Sequence, residues 1–180
     1  MNYHKKSPYP IPHTLYPNAG FSLIEVLVAI SVLLLAVTAT LTVAAKSISI
    51  SADARDQVTA SFLAEEGVEF IRNKRDTNIL SGQSWRQGLD PCFELEGCTT
   101  DTRALEGNQI GQCVDSCPAL LFSDAGVYGY ELGDQTHFVR EVRLTELAPD
   151  REILVSVTLR WKRQFIERSF TIDEHLFNWQ

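Results

Sequence analysis

One long apolar block near the N-terminus dominates the pattern of hydrophobic and polar positions. The 25 residues from Phe21 to Ala45 contain a single charged side chain, that of Glu25, and no glycine or proline occurs between Phe21 and Glu66. As an α-helix this block would span about 38 Å, at about 1.5 Å per residue, whereas the hydrocarbon core of a bilayer is about 30 Å thick. We therefore predict a transmembrane helix over residues 21–45.

A helical pattern continues beyond this block, to about residue 75. One set of apolar residues recurs every four positions: Ile50, Ala54, Val58 and Phe62. Further apolar residues extend the face onward: Leu63, Gly67, Phe70 and Ile71. This spacing predicts an amphipathic helix over residues 46–75, with stop signals at Asn73, Asp76 and Asn78. Gly67 marks either a flexible spot or the close approach of a sheet.

Strand patterns dominate after about residue 125. From Ile153 to Lys162, apolar and polar residues alternate with a period of two, as in a strand with one buried face. Residues 136–146 and 165–172 also read as strands, and the short connections favour an antiparallel meander. Only the helix offers a long apolar stripe to cover this sheet. We therefore predict an α+β fold, with the long N-terminal helix packed on an antiparallel sheet in residues 125–180.

Residues 76–124 read as a loop region, and it holds all the cysteines: Cys92, Cys98, Cys113 and Cys117. An even number of cysteines beyond a membrane span indicates disulfides in an oxidising compartment. Three connectivities are possible, and we weakly favour the local pairs, 92 with 98 and 113 with 117. A zinc site is the alternative, but neither pair has the two-residue spacing common in zinc sites. We therefore predict no metal.

The segment before the apolar block is polar and rich in proline. Lys5 and Lys6 precede the span and no acidic residue does, so the positive-inside rule places the C-terminal part outside the cytoplasm. An ordinary secretory signal has a shorter apolar region. A conventional cleavage site at Val43–Ala45 would require a 25-residue apolar region that carries an acid.

The sequence GFSLIEVLVAI, residues 20–30, resembles the processing site of type IV pilin-like precursors, a group that includes pilins, minor pilins and the pseudopilins of type II secretion. The likeness rests on a leader that ends in Gly20, a following Phe21, and Glu25 as the fifth residue of an apolar helix. It implies that residues 1–20 are a leader, that a membrane-embedded prepilin peptidase cleaves between Gly20 and Phe21, and that the new amine of Phe21 is N-methylated.

Two further stretches, residues 62–78 and 176–179, are similar to minor pilins of the pilus-modification type. The resemblance implies a structural subunit, a minor pilin or pseudopilin, held in the inner membrane by a single span and then assembled into a type IV pilus or a type II secretion pseudopilus. The implied partners are prepilin peptidase, other pilins or pseudopilins, the inner-membrane assembly platform and membrane lipid. No cofactor is implied.

The carboxylate of Glu25 requires a physical reason. An isolated charge inside a bundle of apolar helices is unstable unless it is paired. Cleavage would create a partner, the ammonium of Phe21, either on a neighbouring subunit or on the same chain, since four residues make about one helical turn. Such a pair would select the axial register of subunits. The alternative is an acid that reaches water at the membrane interface and has no role.

No motif of a serine hydrolase, a phosphate-binding loop or a helical zinc site appears in the sequence. His4 and His13 lie in the leader, while His137 and His175 lie in strand regions. We therefore predict a protein without catalytic residues. The alternative class is a membrane-tethered periplasmic binding domain or enzyme, held by an uncleaved signal anchor.

Binding to nucleic acid is not expected, because the net charge is −7 and such binding requires a basic surface. Seven basic residues could nevertheless share the wet face of the sheet: Arg140, Arg143, Arg151, Arg160, Lys162, Arg163 and Arg168. They would either contact an anionic ligand or serve as cross-strand partners of Glu141, Glu152 and Glu167. We favour the second interpretation.

Overall fold

The computed structural model describes residues 20–105, 107–163 and 165–178. The predicted leader, apart from Gly20, lies outside the described residues, as does Trp179 near the C-terminus. The chain divides into two compact units, Met1–Ser49 and Ile50–Gln180. Each unit is described below by itself.

Helix α1 runs from Leu23 to Leu80, a length of 58 residues. In the first unit its apolar stretch contains four hydroxyl side chains whose oxygen atoms donate to carbonyl groups one turn earlier: Ser31 to Leu27 at 2.7 Å, Thr38 to Leu34 at 2.9 Å, Thr40 to Val37 at 2.9 Å and Thr42 to Ala39 at 2.8 Å. The polar groups of these side chains are therefore satisfied within the helix. By length and composition, α1 is the one described helix that could cross a membrane.

The C-terminal end of α1 differs from the prediction. The helix passes through Asn78, one of the proposed stop signals, and ends at Leu80. Gly82 then adopts a left-handed conformation with φ of 65°. Its N–H donates to the carbonyl of Ile79 at 3.0 Å, and the N–H of Gln83 donates to the carbonyl of Asn78 at 2.9 Å. This pair of bonds is a Schellman motif, which terminates the helix because glycine adopts positive φ without a steric penalty.

The second unit contains one antiparallel sheet of seven strands. In chain order the strands are β1 (Cys98–Thr100), β2 (Ile110–Gln112), β3 (Ala119–Phe122), β4 (Tyr128–Gly129), β5 (Asp134–Ala148), β6 (Glu152–Arg163) and β7 (Ile166–Phe177). Strands β5, β6 and β7 form the meander that the sequence predicted. The hairpins β1–β2 and β3–β4 pair with the other edge of β5. The description of residues 76–124 as a loop region was therefore wrong in part, since they include the end of α1, a 3₁₀ turn at Asp90–Phe93 and three short strands.

The helix packs on the sheet, which confirms the predicted α+β fold. Small and aliphatic residues of α1 share one buried cluster with alternate residues of the central strands: Ala60, Leu63, Ala64, Val68 and Ile71 with Val142, Leu144, Ile153, Val155, Val157 and Leu159. At Gly67 a Cβ atom would lie 3.0 Å from Cγ1 of Val157. Gly67 is therefore the point where the sheet approaches the helix closely, the second of the two interpretations left open above.

The predicted apolar face of the helix is only partly the buried one. Val58 and Phe62 are 54% and 65% exposed, and Ile50 is 58% exposed. Leu63, Gly67 and Ile71 of the predicted face are buried, and Ala60 and Ala64 join them, because small side chains allow the backbone of the helix to lie close to the sheet. One stripe of apolar side chains thus remains uncovered on the outside of this unit.

The cysteines form the two local pairs. The sulfur atoms of Cys92 and Cys98 are 1.93 Å apart, and those of Cys113 and Cys117 are 2.00 Å apart. The first bond joins the 3₁₀ turn to β1, and the second closes a four-residue loop beside it. The two loops are adjacent, because the N–H of Cys113 donates to the carbonyl of Gly97 at 3.0 Å.

Arg140 does not lie on the wet face of the sheet. Its side chain is only 2% exposed and lies between the sheet and α1. One terminal nitrogen donates to the carbonyl of Leu63 at 3.0 Å and to a carboxylate oxygen of Glu66 at 3.3 Å, and the other donates to the carbonyl of Thr100. A single guanidinium therefore links α1, β1 and β5.

Other basic residues of the sheet have carboxylate partners. Arg160 of β6 forms an ion pair with Glu141 of β5, as the cross-strand interpretation expected, whereas Arg143 pairs with Glu141 along the same strand. Glu152 instead pairs with His175, at 2.6 Å. Because several of the seven basic residues are paired with carboxylates, they do not form one unpaired basic surface. This weakens the case for an anionic ligand.

A second ion pair holds α1 to strand β7. The guanidinium of Arg72 contacts the carboxylates of Glu174 and of Glu69. The hydrogen bond that Arg72 donates to the carboxylate of Glu174 is the main cause that raises the pKa of Arg72 above its ordinary value. Arg72 therefore remains charged at every physiological pH, and this contact does not act as a pH switch.

Candidate processing and assembly site

Gly20 and Phe21 lie outside helix α1, directly before its first turn. Gly20 is exposed and Phe21 is 80% exposed. The peptide bond between them is consequently not part of the helical hydrogen-bond ladder. Its position beside the helix, rather than within it, leaves the bond accessible to a peptidase without unwinding of α1.

Ser22 caps the N-terminus of α1. The N–H of Glu25 lies 3.3 Å from the hydroxyl oxygen of Ser22 and 3.1 Å from its carbonyl oxygen, and the N–H of Val26 donates to the same carbonyl at 3.2 Å. A serine followed three residues later by glutamate is the spacing of a capping box. Ser22 was not singled out from the sequence, although this spacing could have identified its role.

Glu25 therefore occupies the third position of the helix. A carboxylate in the first turn is favoured by the helix dipole, by about 0.3–1 kcal/mol at an exposed site. Its side chain is exposed, and it makes no ion pair with any residue that the structure describes. The negative charge is thus tolerated at the exposed start of the helix.

The helix surface around these residues is uncovered. Every residue from Gly20 to Ser49 in the first unit is exposed, although most of the side chains are apolar. An apolar helix of this kind is stable only in lipid or against other apolar helices. The described part of the first unit therefore begins with the exposed residues Gly20 and Phe21 and continues with a capped helix start that carries one carboxylate. The rest of its helix has an apolar surface that requires lipid or other apolar helices around it.

The predicted disulfide residues belong to the second unit and take no part in this site. Within the described residues no group of three or more His, Cys, Asp or Glu side chains is arranged to hold a metal ion. The candidate site thus reduces to Gly20, Phe21, Ser22 and Glu25, of which the sequence identified all but Ser22.

Comparison with known proteins adds one finding. A family model described as the prokaryotic N-terminal methylation motif matches residues 16–41. No curated protein and no solved structure matches the chain significantly. The matched residues include the proposed cleavage position, Ser22, Glu25 and the first part of α1. The chain therefore carries a prokaryotic N-terminal methylation motif over residues 16–41, which supports its resemblance to type IV pilin-like precursors.

Proposed function

We propose that this chain is a structural filament subunit, a minor pilin or pseudopilin that is stored in the inner membrane and assembled into a type IV pilus or a type II secretion pseudopilus. The observation that carries the proposal is the methylation motif at residues 16–41, which includes Gly20, Phe21 and Glu25 in the expected order. Its C-terminal unit lies outside the cytoplasm and has no catalytic role.

The first step is maturation by prepilin peptidase. Hydrolysis of the peptide bond between Gly20 and Phe21 releases residues 1–20 with a C-terminal carboxylate and leaves a free amine on Phe21. A methyl donor then methylates this amine. Both residues lie before the helix and are exposed, which supports access to the bond.

The second step is assembly through α1. Lateral packing of helices would remove the exposed apolar side chains of residues 21–45 from lipid and would place Glu25 in an environment of low polarity. There its carboxylate requires a cation, and the amine of Phe21 supplies one. A subunit that is displaced by one helical turn would leave both charges unpaired, so the pair selects one axial position.

The outer face of α1 in the second unit supports the same proposal. Ile50, Val58 and Phe62 are more than half exposed, although they recur at helical spacing. Burial of a large apolar side chain contributes about 1.5–3 kcal/mol, so these residues favour contact with neighbouring subunits. The partners of the protein are then prepilin peptidase, other pilins or pseudopilins, the assembly platform and membrane lipid.

The decisive experiment is to determine the N-terminus of the membrane-bound protein. The full chain is expressed with and without a prepilin peptidase, and the membrane fraction is analysed by intact mass and N-terminal sequencing. With the peptidase we expect a chain that begins at N-methylated Phe21. Without it we expect the full-length precursor.

Two variants sharpen this experiment. Gly20→Glu should remain full length, because the residue before the cleaved bond is altered. Ser22→Ala removes the helix cap but preserves the cleaved pair, and should still be processed. A chain that retains residues 1–20 in the presence of active peptidase would contradict the proposed function and would favour an uncleaved anchor.

A further inference from the structure

Strand β7 forms an edge of the sheet. Its twelve residues, Ile166–Phe177, pair with β6 in one unbroken register, and no strand in the part of the chain that the structure describes pairs with its other side. In an antiparallel strand, alternate residues direct both the N–H and the C=O group toward the same side. The outer groups of residues 166–176 therefore form a row of donors and acceptors that an added strand can use.

Of the features that usually protect an edge strand, β7 has mainly charge. It contains neither proline nor glycine, and no bulge interrupts its pairing with β6. Seven of the residues 166–176 are exposed. A long and regular edge of this kind pairs with other chains unless its side chains prevent it. The charges of β7 and of its surroundings therefore decide which strand can be added.

A groove lies between this edge and α1. Its volume is about 540 Å³, and its lining comes from residues of α1 and β7 alone. Phe62, Val68 and Ile172 supply the apolar side chains of the groove, and Phe62 is 65% exposed. When a sheet edge recognises an extended segment, main-chain hydrogen bonds give affinity and pockets for alternate side chains give specificity. The groove can serve as such a pocket, because it lies beside the edge on the α1 face of the sheet.

The charges at this edge are negative in sum. Seven carboxylates belong to β7, to the groove or to a side chain paired with them: Asp53, Glu65, Glu66, Glu69, Glu167, Asp173 and Glu174. Four cations lie among them: Arg72, Arg140, Lys162 and Arg168. Lys162 is included because it lies opposite Glu167 in the strand register, and Arg163 is matched by Asp56. Seven carboxylates against four cations leave a net charge of −3.

The sign of this charge selects the added strand. Asp173 is exposed on β7, Glu65 is exposed beside the groove, and neither forms an ion pair within the described residues. A second copy of β7 would bring a net charge of −2, from three carboxylates and one arginine, so charges of the same sign disfavour that pairing. A strand with lysine or arginine side chains would instead supply the missing cations.

We propose that the outer edge of β7 binds an extended segment of a partner protein whose side chains alternate between apolar and basic. The added strand pairs with the main chain of residues 166–176 and places its apolar side chains in the groove beside Phe62 and Ile172. Its basic side chains then lie on the other face of the sheet, where Asp173 is exposed, because successive side chains of a strand point to opposite faces. The proposal depends neither on cleavage of the leader nor on filament assembly.

The test measures the binding of labelled peptides to the full chain in non-ionic detergent by fluorescence anisotropy. The probe is a hexapeptide that alternates lysine and valine and has blocked termini. A first comparison peptide has glutamate in place of lysine. A second keeps the basic sequence but carries methyl groups on alternate main-chain nitrogens, so that it retains its charge and cannot complete a strand ladder.

We expect the basic peptide to bind and the acidic peptide not to bind. The N-methylated peptide should bind at least about tenfold more weakly, because each lost hydrogen bond contributes a factor of about 2–10. Equal binding of the basic peptide and its N-methylated form would overturn the proposal, since charge alone would then explain the contact. Failure of the basic peptide to bind would also overturn it.

Charge-reversing variants locate the site. Asp173→Lys should weaken binding of the basic peptide by about tenfold, because an exposed ion pair contributes up to a factor of about five and the reversal adds a repulsion. Asp124→Lys is the matched control. Asp124 is exposed in the turn between β3 and β4, and three strands separate β4 from β7, which corresponds to about 19 Å at the usual strand spacing. Equal losses in the two variants would overturn the assignment to β7.

Two further measurements complete the test. Phe62→Ala removes an exposed side chain of the groove without changing any charge, and it should weaken binding while near-ultraviolet circular dichroism stays unchanged; unchanged binding would overturn the role of the groove. Sedimentation of the full chain in detergent reports self-association. A dimer that dissociates when the basic peptide is added would assign the edge to a second copy and overturn the proposed occupant, whereas a monomer that binds the peptide supports it.

Discussion

Replacement of Arg140 with methionine should lower the free energy of unfolding of the second unit by about 2–4 kcal/mol, the range for the loss of charged hydrogen bonds at a buried site. The side chain is 2% exposed, and it donates to the carbonyl groups of Leu63 and Thr100 and to the carboxylate of Glu66. Methionine has a similar length and preserves apolar packing, but it donates no hydrogen bond.

The size of the expected loss depends on how well each partner of Arg140 is hydrogen-bonded or solvated once the guanidinium is removed. Hydrogen bonds from a charged group contribute about 1.5–3 kcal/mol each, but the three bonds of Arg140 are not additive. The carbonyl of Leu63 already lies within a helix, and Nε of Arg140 has no partner among the described residues, which reduces the gain. Glu66 is 32% exposed, so water can solvate its carboxylate once the arginine is lost.

This reasoning predicts an asymmetry between the two members of the ion pair. Glu66→Gln should cost less than about 1 kcal/mol, as expected for a pair with a solvated member, whereas Arg140→Met should cost several times more. The assay is guanidinium-induced unfolding of the full chain in detergent, followed by near-ultraviolet circular dichroism. The double variant completes a cycle that isolates the energy of the pair.

Equal losses in the two single variants would refute the reasoning, because they would assign the stabilisation to the ion pair rather than to the backbone carbonyls. An Arg140→Met variant as stable as the unmodified chain would refute it more strongly. In that case the buried guanidinium would be no better than an apolar side chain of similar volume.

Three further predictions concern assembly, packing and pH. Glu25→Val should insert into the membrane but be absent from sheared filaments, since it lacks the charge that pairs with the amine of Phe21; wild-type amounts in filaments would contradict this. Gly67→Val should lower the free energy of unfolding by about 1–3 kcal/mol through overpacking, because even a Cβ at this position would lie 3.0 Å from Val157. Gly67→Ala adds that Cβ alone and gains about 1 kcal/mol of helix propensity, so it should lose less than Gly67→Val in the same unfolding assay; an equal loss would contradict overpacking by the larger side chain. Burial raises the pKa of Tyr130 above its ordinary value, so its contribution to stability is complete below about pH 10 and is lost as the pH rises through the raised value. Unfolding midpoints measured from pH 8 to 11 should therefore fall above pH 10, and Tyr130→Phe should fall less steeply.

The sequence predicted those elements whose pattern is long enough to be periodic. The alternation from Ile153 to Lys162 corresponds to β6, with Ile153, Val155, Val157 and Leu159 fully buried. Strands β1, β2 and β4 have two or three residues each, which is too short to establish a period of two. Strand β1 pairs with β5, which lies far along the chain. Strand β4 pairs with β3, which is itself only four residues long.

The apolar face of the helix was predicted correctly at Leu63 and Ile71 but not at Val58 and Phe62, which are exposed. A periodic pattern identifies apolar side chains, but it does not measure how closely a sheet can approach. The sheet lies against Ala60, Ala64 and Gly67, whose small side chains contribute little to a hydrophobic pattern. For the same reason Arg140 was placed outside, since an arginine in an alternating strand is expected in water unless its partners on other elements are known.

The proposed processing site rests on local information, and the methylation motif matches the same part of the chain. Gly20, Phe21 and Glu25 lie within six residues, and their roles depend on order along the chain rather than on tertiary contacts. Ser22 was the omission, and its capping bond to the N–H of Glu25 is also local. In contrast, the β6–β7 hairpin is held to α1 by ion pairs between residues more than 100 positions apart, such as Arg163 with Asp56, which no local pattern reveals.

The position of Glu25 also orders the steps of the proposed assembly. Before cleavage the carboxylate at the third position of α1 is favoured by the helix dipole and by water, and Phe21 contributes only a neutral amide nearby. Entry into a bundle of apolar helices would then bury one unpaired negative charge, at a cost of several kcal/mol. Cleavage converts the amide of Phe21 into an ammonium and makes the same segment neutral overall. In the proposed assembly, removal of the leader would therefore do more than shorten the chain, since it would supply the charge that lets α1 leave lipid for the filament.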